Sequence, residues 1–308
     1  LDDKKVPMMG VMGAFVFAGQ MINFTIPGTG SSGHIGGGIL LAALLGPYAA
    51  FLVISAVLLI QALFFADGGL LAIGCNIFNM GFYACFIAYP LIYRQIVKKS
   101  FTAKRVTMGT IIAVVAGLQL GAFSVVLETL ISGITELPFA SFVLLMQPIH
   151  LAIGLVEGIA TSAVLCFVLK SNPALLDGYT AGAGEPAVSR KKVIAILLAV
   201  AVVIGGFVSL FASSHPDGLE WAISGITGAA ELKADGGAYH AAESIQKSTA
   251  FLPDYGFKNG DEASAAAGTS VSGIVGGGVT LGLACLAGYL ISHLKKKRLN
   301  GKSNSIAK

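Results

Sequence analysis

The sequence predicts an all-α polytopic membrane protein, with eight transmembrane helices and a small extracytoplasmic insertion. Three observations carry that prediction. Of the 308 residues, 55% are hydrophobic and 12% charged, and the mean hydropathy is +0.80; soluble domains carry about 25% charge. Apolar runs recur near 6–24, 35–66, 70–93, 106–132, 143–169, 192–212 and 271–293, most of them 18 residues or longer and able to cross the hydrocarbon core. The 40 glycines suit helices that must approach closely without a hydrophobic driving force between them.

The net charge of +4 comes from a few clusters, which argues against nucleic-acid binding and fixes topology instead. Arg94, Lys98, Lys99, Lys104 and Arg105 form one short basic loop. Lys170, Arg190, Lys191 and Lys192 flank a second, and Lys295, Lys296, Lys297 and Arg298 follow the last run. All three belong in the cytoplasm by the positive-inside rule, and Lys4 and Lys5 put the start there too. An even number of crossings must then separate Lys5 from Arg94. The long run 35–66 is therefore expected to cross twice, as two short tilted helices meeting at Gly46-Pro47, where proline removes a backbone donor. The same parity places the glycine-rich stretch 28–38 and the polar insertion 213–270 outside.

Several constellations are candidates for chemistry. The stretch Pro27-Gly28-Thr29-Gly30-Ser31-Ser32-Gly33-His34-Ile35-Gly36-Gly37-Gly38 is irregular backbone beside a span, tolerated where protein or a water-filled cavity satisfies it. His34 in it has the imidazole nitrogen of a transition-metal ligand, or is a solvated loop histidine. His150 and Glu157 stand two helical turns apart on one face, as a structural or secondary pair inside a span. Asp67-Gly68-Gly69 reads as a tight turn, and Asn76 with Asn79 as hydrogen-bonding groups one turn apart. Glu128 and Glu136 are expected in solvent. The four cysteines (Cys75, Cys85, Cys166, Cys285) read as small buried hydrophobes without metal spacing, and Asn300–Lys308 as a disordered tail.

Two further signals are weak. Gly301-Lys302-Ser303 ends like a phosphate-binding loop, but Lys296 stands where the first glycine is required, so no ATPase is expected in this chain. Gly30-Ser31-Ser32-Gly33 resembles the surroundings of intramembrane serine-protease nucleophiles, which would make Ser32 the nucleophile and His150 its base. A self-sufficient metal channel is the other alternative.

Four ordered motifs carry a closer resemblance. They are Gly30-Ser31-Ser32-Gly33-His34 leading to Leu44-Leu45-Gly46-Pro47, then Gln61-Ala62-Leu63-Phe64-Phe65-Ala66-Asp67-Gly68-Gly69. Next come Gly74-Cys75-Asn76-Ile77-Phe78-Asn79-Met80-Gly81 and His150-Leu151-Ala152-Ile153-Gly154-Leu155-Val156-Glu157-Gly158. Together they resemble the CbiM/NikM family, the metal-binding membrane subunits of energy-coupling-factor transporters. Pro216-Asp217-Gly218-Leu219-Glu220-Trp221 resembles the PDGLE segment often fused to that family, or found in its CbiN/NikN-type companions.

The resemblance implies a CbiM/NikM-like core over 1–170, a cytoplasmic linker over 171–191, a PDGLE/CbiN-like two-span segment over 192–293 with its outer loop 213–270, and a basic cytoplasmic tail over 294–308. It implies a subunit of a bacterial or archaeal plasma membrane that captures Co²⁺ or Ni²⁺ as substrate, with no resident cofactor. Its partners would be an energy-coupling transmembrane subunit, separate cytoplasmic ATPases and membrane lipid. His34 takes the role of the family's loop histidine as a metal ligand. Ser31, Ser32, Asn76 and Asn79 would shape its surroundings, with His150 and Glu157 structural or in the same outer role. The family supplies most of a nearly planar nitrogen site from a Met-His terminus, whereas residues 1–3 here are Leu1-Asp2-Asp3. About 30 residues, one span and its flanks, are thus expected ahead of Leu1, and His34 alone is expected to bind metal poorly. A nitrogen-rich planar site suits Ni²⁺ or Cu²⁺ and admits Co²⁺. The outer loop is expected to help seat the metal.

Overall fold

The structure is a computed structural model that describes residues 5–133, 137–180, 186–230, 232, 234–260 and 262–306. Lys4, the Leu1-Asp2-Asp3 start and Glu136 lie outside the described residues, as do the side chains of Lys296 and Arg298.

Helix α1 (Val6–Gln20) begins on Lys5 with Pro7 in its first turn, where a missing N–H costs nothing, and every residue from Met8 to Gln20 is buried. A helix apolar on all sides belongs in the middle of a bundle. It is enclosed by α3 (Pro47–Phe64), α7 (Arg190–Gly206) and α10 (Glu262–Ile306). Small residues make that possible. A Cβ on Gly10 would fall 2.3 Å from Cys285 Sγ, and one on Gly273 would fall 2.0 Å from the Gly205 carbonyl oxygen, so backbones meet directly.

The run 35–66 does break at Gly46-Pro47. Gly46 takes φ +82° and Pro47 opens α3. The halves are unequal, however: α2 (Gly38–Leu45) has eight residues and α3 has 18, roughly 12 Å against 27 Å of rise. Helix α4 (Leu70–Val97) follows, then α5 (Ala103–Ser132) and α6 (Phe139–Ser171), which pack as a pair. Over Ile77–Tyr93, α4 has wide i→i+5 turns with Pro90 inside. Among the described residues six helices are long and apolar enough to cross a membrane, and Val6–Gln20 is a shorter apolar one. Eight crossings do not follow from these lengths, because α2 spans less than half of the hydrocarbon core.

The helices of the insertion, α8 (Gly218–Thr227) and α9 (Gly237–Thr249), lie on the bundle through contacts described below. One expectation needs correction: the tail is not irregular over Asn300 to Ile306, since α10 continues through it, while 307 and 308 lie outside the described residues. Of the cysteines, Cys85 is buried, Cys166 and Cys285 are half-buried and Cys75 is exposed, so the reading as buried hydrophobes holds in full for Cys85 alone.

At the end of the bundle that carries Lys5, the Lys5 ammonium donates to Asp177 Oδ1 (3.0 Å) and to the Leu45 carbonyl (3.0 Å), while Tyr89 donates to Asp177 Oδ2 (2.8 Å). This ties the linker after α6 to α1, α2 and α4.

Candidate functional site

At the other end, Phe24–Ile26 (β1) and Ser31–Gly33 (β2) form an antiparallel hairpin with Thr25 opposite Ser32. Its turn uses Gly28 and Gly30 at φ +77° and +74°, backbone that residues with a Cβ seldom adopt. The chain then runs irregularly past His34 to Gly37, the left-handed N-cap of α2. A glycine-rich loop beside a membrane helix must find partners for its polar groups, and the insertion supplies them. The Ser32 amide donates to the Pro216 carbonyl (2.8 Å), Ser32 Oγ to the His215 carbonyl (2.7 Å) and Ser31 Oγ to the Pro216 carbonyl (3.4 Å). The Trp221 indole donates to the Thr29 carbonyl (3.0 Å). Each part of Pro-Asp-Gly-Leu-Glu-Trp has a physical task here. Asp217 caps α8 through the Leu219 and Glu220 amides, and Glu220 answers with the Asp217 amide, a reciprocal capping box. Gly218 lies against His150: a Cβ there would come 3.0 Å from Cε1 and 3.3 Å from Nε2.

Beneath this contact lies a cavity of about 210 Å³. His34, His150, Asn76 and Asn79 all line it, as do Asp217 and Gly218 of the insertion. His34 Nδ1 lies 3.2 Å from the Ile35 carbonyl and His150 Nδ1 lies 2.7 Å from the Met146 carbonyl. A carbonyl only accepts, so each Nδ1 carries the proton, and in the neutral ring Nε2 keeps its lone pair, the form in which imidazole binds a metal. A backbone partner on the other nitrogen is the usual way such a ligand is oriented. Among the described residues, no three His, Cys, Asp or Glu side chains form a group that could hold a metal ion. His34 and His150 thus each leave Nε2 unbonded at the cavity.

The other expected residues fall into place differently. His150 and Glu157 share a face but do not meet. Glu157, 3% exposed, accepts from the Gly37 amide (2.9 Å) and borders a second void of about 30 Å³. Asn79 donates to Glu128 Oε2 (2.9 Å), and Ser124 Oγ donates to Glu128 Oε1 (3.3 Å); Glu128 is therefore turned toward α4 rather than left to solvent. Asn76 donates to the Gly68 carbonyl (2.6 Å) and so closes the Asp67-Gly68-Gly69 turn. Ser32 Oγ is spent on His215, and His150 Nδ1 on its own helix, so a Ser32–His150 nucleophile pair is not assembled. Of the polar cavity residues, Gln20 has no place in the sequence reading, and Asp67 and Asp217 have one only as parts of their motifs. Gln20 did leave a signal, as the one amide at the end of an otherwise apolar helix.

The profile of the CbiM family, described as a cobalt uptake substrate-specific transmembrane region, matches residues 1–175, and that of the PDGLE domain matches 191–293. A putative fused nickel transport protein NikMN of Archaeoglobus fulgidus is 32% identical over 287 residues, covering 91% of this chain and 85% of that protein. A cobalt transport protein CbiM of Sorangium cellulosum is 32% identical over 56% of this chain and 76% of its own length. A truncated transition metal transporter of known crystal structure is 34% identical over 55% of this chain and 82% of that one, with a TM-score of 0.47. The match over more than half of its length, and a relative aligned along nine-tenths of it, mean that this chain belongs to the CbiM family and carries a PDGLE domain in the same polypeptide.

Proposed function

We propose that this multi-pass membrane protein is the metal-capture subunit of an ATP-driven energy-coupling-factor importer for Co²⁺ or Ni²⁺. The observation that carries the reading is His34. Its Nδ1 faces the Ile35 carbonyl and its Nε2 is unspent, on a loop held in place by the fused segment, in a cavity lined by no Lys or Arg among the described residues. A lone imidazole is a weak site. The remaining nitrogen donors are of the kind the family provides from a Met-His terminus, and a four-nitrogen planar set selects Ni²⁺ and admits Co²⁺.

In this reading the hairpin end faces outward in a bacterial or archaeal plasma membrane, as the basic loops at the other end require. A transmembrane coupling subunit and cytoplasmic ATPases supply the energy. Segment 213–270 helps seat the ion, because its backbone carbonyls satisfy the loop that carries His34.

The test is a calorimetric titration of the purified full-length protein with Ni²⁺ and Co²⁺ beside the His34→Ala variant. Loss of one of a few nitrogen ligands is expected to weaken binding by about a hundredfold or more. Equal affinity in the variant would remove His34 from the site and leave the reading without its support.

A further inference from the structure

Two buried side chains from different helices hold the two sides of a single peptide group. Gln20 Nε2, at the end of α1, donates to the Gly36 carbonyl (2.9 Å), and the Gly37 amide donates to Glu157 Oε1 of α6 (2.9 Å). That carbonyl and that amide belong to the one peptide joining Gly36 to Gly37. Gln20 is 5% and Glu157 3% exposed, so water does not compete for either bond. The second carboxylate oxygen is turned to the preceding residue: a Cβ on Gly36 would fall 3.4 Å from Glu157 Oε2. A buried carboxylate is costly unless its oxygens are used. Among the described residues Glu157 stands in no salt bridge; what it serves is the loop.

The loop needs such a hold. Gly36, Gly37 and Gly38 have no side chains to fix their conformation, and Gly37 stands at φ +79°. The same two helices touch the chain on both sides of His34. Before it, Gly33 lies on α6, where a Cβ would come 2.4 Å from Ile153 Cγ1. After it, Ile35 lies on α1, its Cδ1 2.5 Å from where a Cβ on Gly19 would stand. Gly19 and Gln20 are neighbours on α1, and Ile153 and Glu157 are one turn apart on α6, so each helix offers one apolar and one polar contact. His34 Nδ1 in turn faces the Ile35 carbonyl (3.2 Å), in the peptide directly before the one that is held. The direction of the imidazole is therefore set, through that carbonyl, from α1 and α6.

We propose that Gln20 and Glu157 are the positioning residues for His34, clamping the Gly36–Gly37 peptide so that the imidazole presents Nε2 to a divalent cation in the cavity. They act through the loop and not on the ion. The bonds to the His215 and Pro216 carbonyls come from Ser31 and Ser32, on the other flank of His34, so the clamp supplies a hold that the insertion does not. A ligand fixed beforehand gives up less freedom when the metal binds, and the saving appears as affinity. The inference rests on the capture function proposed above and names what orients its ligand.

The experiment titrates the full-length protein in nanodiscs with Ni²⁺ by calorimetry and follows amide hydrogen exchange over 34–38. It compares the parent with Glu157→Leu, Gln20→Met, Glu157→Gln and His34→Ala. Leu165→Ala, a cavity at a buried position two turns further along α6, is the control for lost stability. Glu157→Leu and Gln20→Met should each weaken Ni²⁺ binding about tenfold. Exchange at the Gly37 amide should quicken about tenfold in Gln20→Met as well, although that variant removes only the bond to the carbonyl side of the peptide. Glu157→Gln, whose side-chain oxygen still accepts from the Gly37 amide, should stay within about threefold of the parent affinity. Leu165→Ala should melt at least as early as either clamp variant and keep its affinity within about twofold. Parent affinity in Glu157→Leu or in Gln20→Met overturns the inference, as does an equal loss in Leu165→Ala, while a weakened His34→Ala keeps the capture reading standing. Should one clamp variant fail to fold, the other decides. Binding in His34→Ala as tight as in the parent would instead overturn the capture reading, whatever the clamp does.

Discussion

The insertion touches the bundle in two places, and the two are built differently. Around Pro216 to Trp221 it lies along the hairpin through bonds to carbonyl groups, beside a cavity, with Trp221 half-buried. Around Gln246 to Tyr255 it closes the end of α3. The last four carbonyls of a helix have no partner within it. Here Gln246 Nε2 reaches Ala62 (3.1 Å), Thr249 Oγ1 reaches Leu63 (2.7 Å), the Leu252 amide Phe64 (3.3 Å) and the Asp254 amide Phe65 (2.8 Å). Four carbonyls in a row thus receive four donors from a segment nearly 190 residues away. Beneath them Phe65 and Leu252, 0% and 6% exposed, join Phe17, Val57 and Ile60 in an apolar cluster. The second contact is an anchor, with buried apolar area beneath the paired carbonyls. The first, the cover, stands over a cavity, and beside it α8 packs Leu219, Trp221, Ala222, Ile223 and Ile226 against α5 and α6.

The largest effect that breaks this contrast comes from the anchor. Phe65→Ala removes a buried ring that also contacts Phe17 at 5.2 Å, at a cost of about 3–5 kcal/mol. Limited proteolysis in detergent should then cut near 246–255 much faster than in the parent. Cutting confined to 213–221 would mean the anchor has been misplaced.

A smaller effect is expected at the cover. Gly218→Ala puts a methyl 3.0 Å from both His150 Cε1 and Ile153 Cδ1, an overpacking worth about 1–3 kcal/mol. Trp221 emission should shift to the red while cleavage near 246–255 stays at the parent rate. An unshifted emission spectrum would show that the cover is held more firmly than its bonds suggest.

The smallest effect separates the two contacts by pH. Burial first, and the nearby Asp67 carboxylate second, push the Tyr255 hydroxyl above its ordinary range. A raised folded-state pKa means that its contribution is complete below the unfolded value, about 10, and is lost as pH climbs through the raised one. Tyr255→Phe and the parent should therefore differ in stability by a constant amount from neutral pH up to about 9, and converge only in stronger alkali. A difference that already changes between pH 6 and 8 would assign the titration to another group.

Much of this was legible in the residues and some was not. Apolar runs gave the helices, Gly46-Pro47 gave the break, and the glycine-rich loop around His34 together with Pro-Asp-Gly-Leu-Glu-Trp pointed to the two sides of the cavity. The unequal halves of 35–66 were hidden because a proline marks where a helix begins, not how long its predecessor is. The anchor had no signature, since it bonds backbone carbonyls that any residue at 62–65 would present. Gln20 had no signal strong enough to place it and Glu128 was expected in solvent for a related reason: an isolated polar residue in an apolar helix has a direction only once its neighbours are placed. The continuation of α10 past Lys297 could not be distinguished by composition from a polar tail.

The tether on either side of the insertion has a kinetic consequence. Helices α7 and α10 hold both of its ends, so a cover that lets go re-binds as an intramolecular event. Short tethers give effective concentrations in the millimolar range. A contact with a dissociation constant of only about 100 μM would then still be closed roughly nine-tenths of the time, yet would reopen fast enough to admit each new ion. Two separate chains at micromolar abundance, joined by the same bonds, would spend most of their time apart.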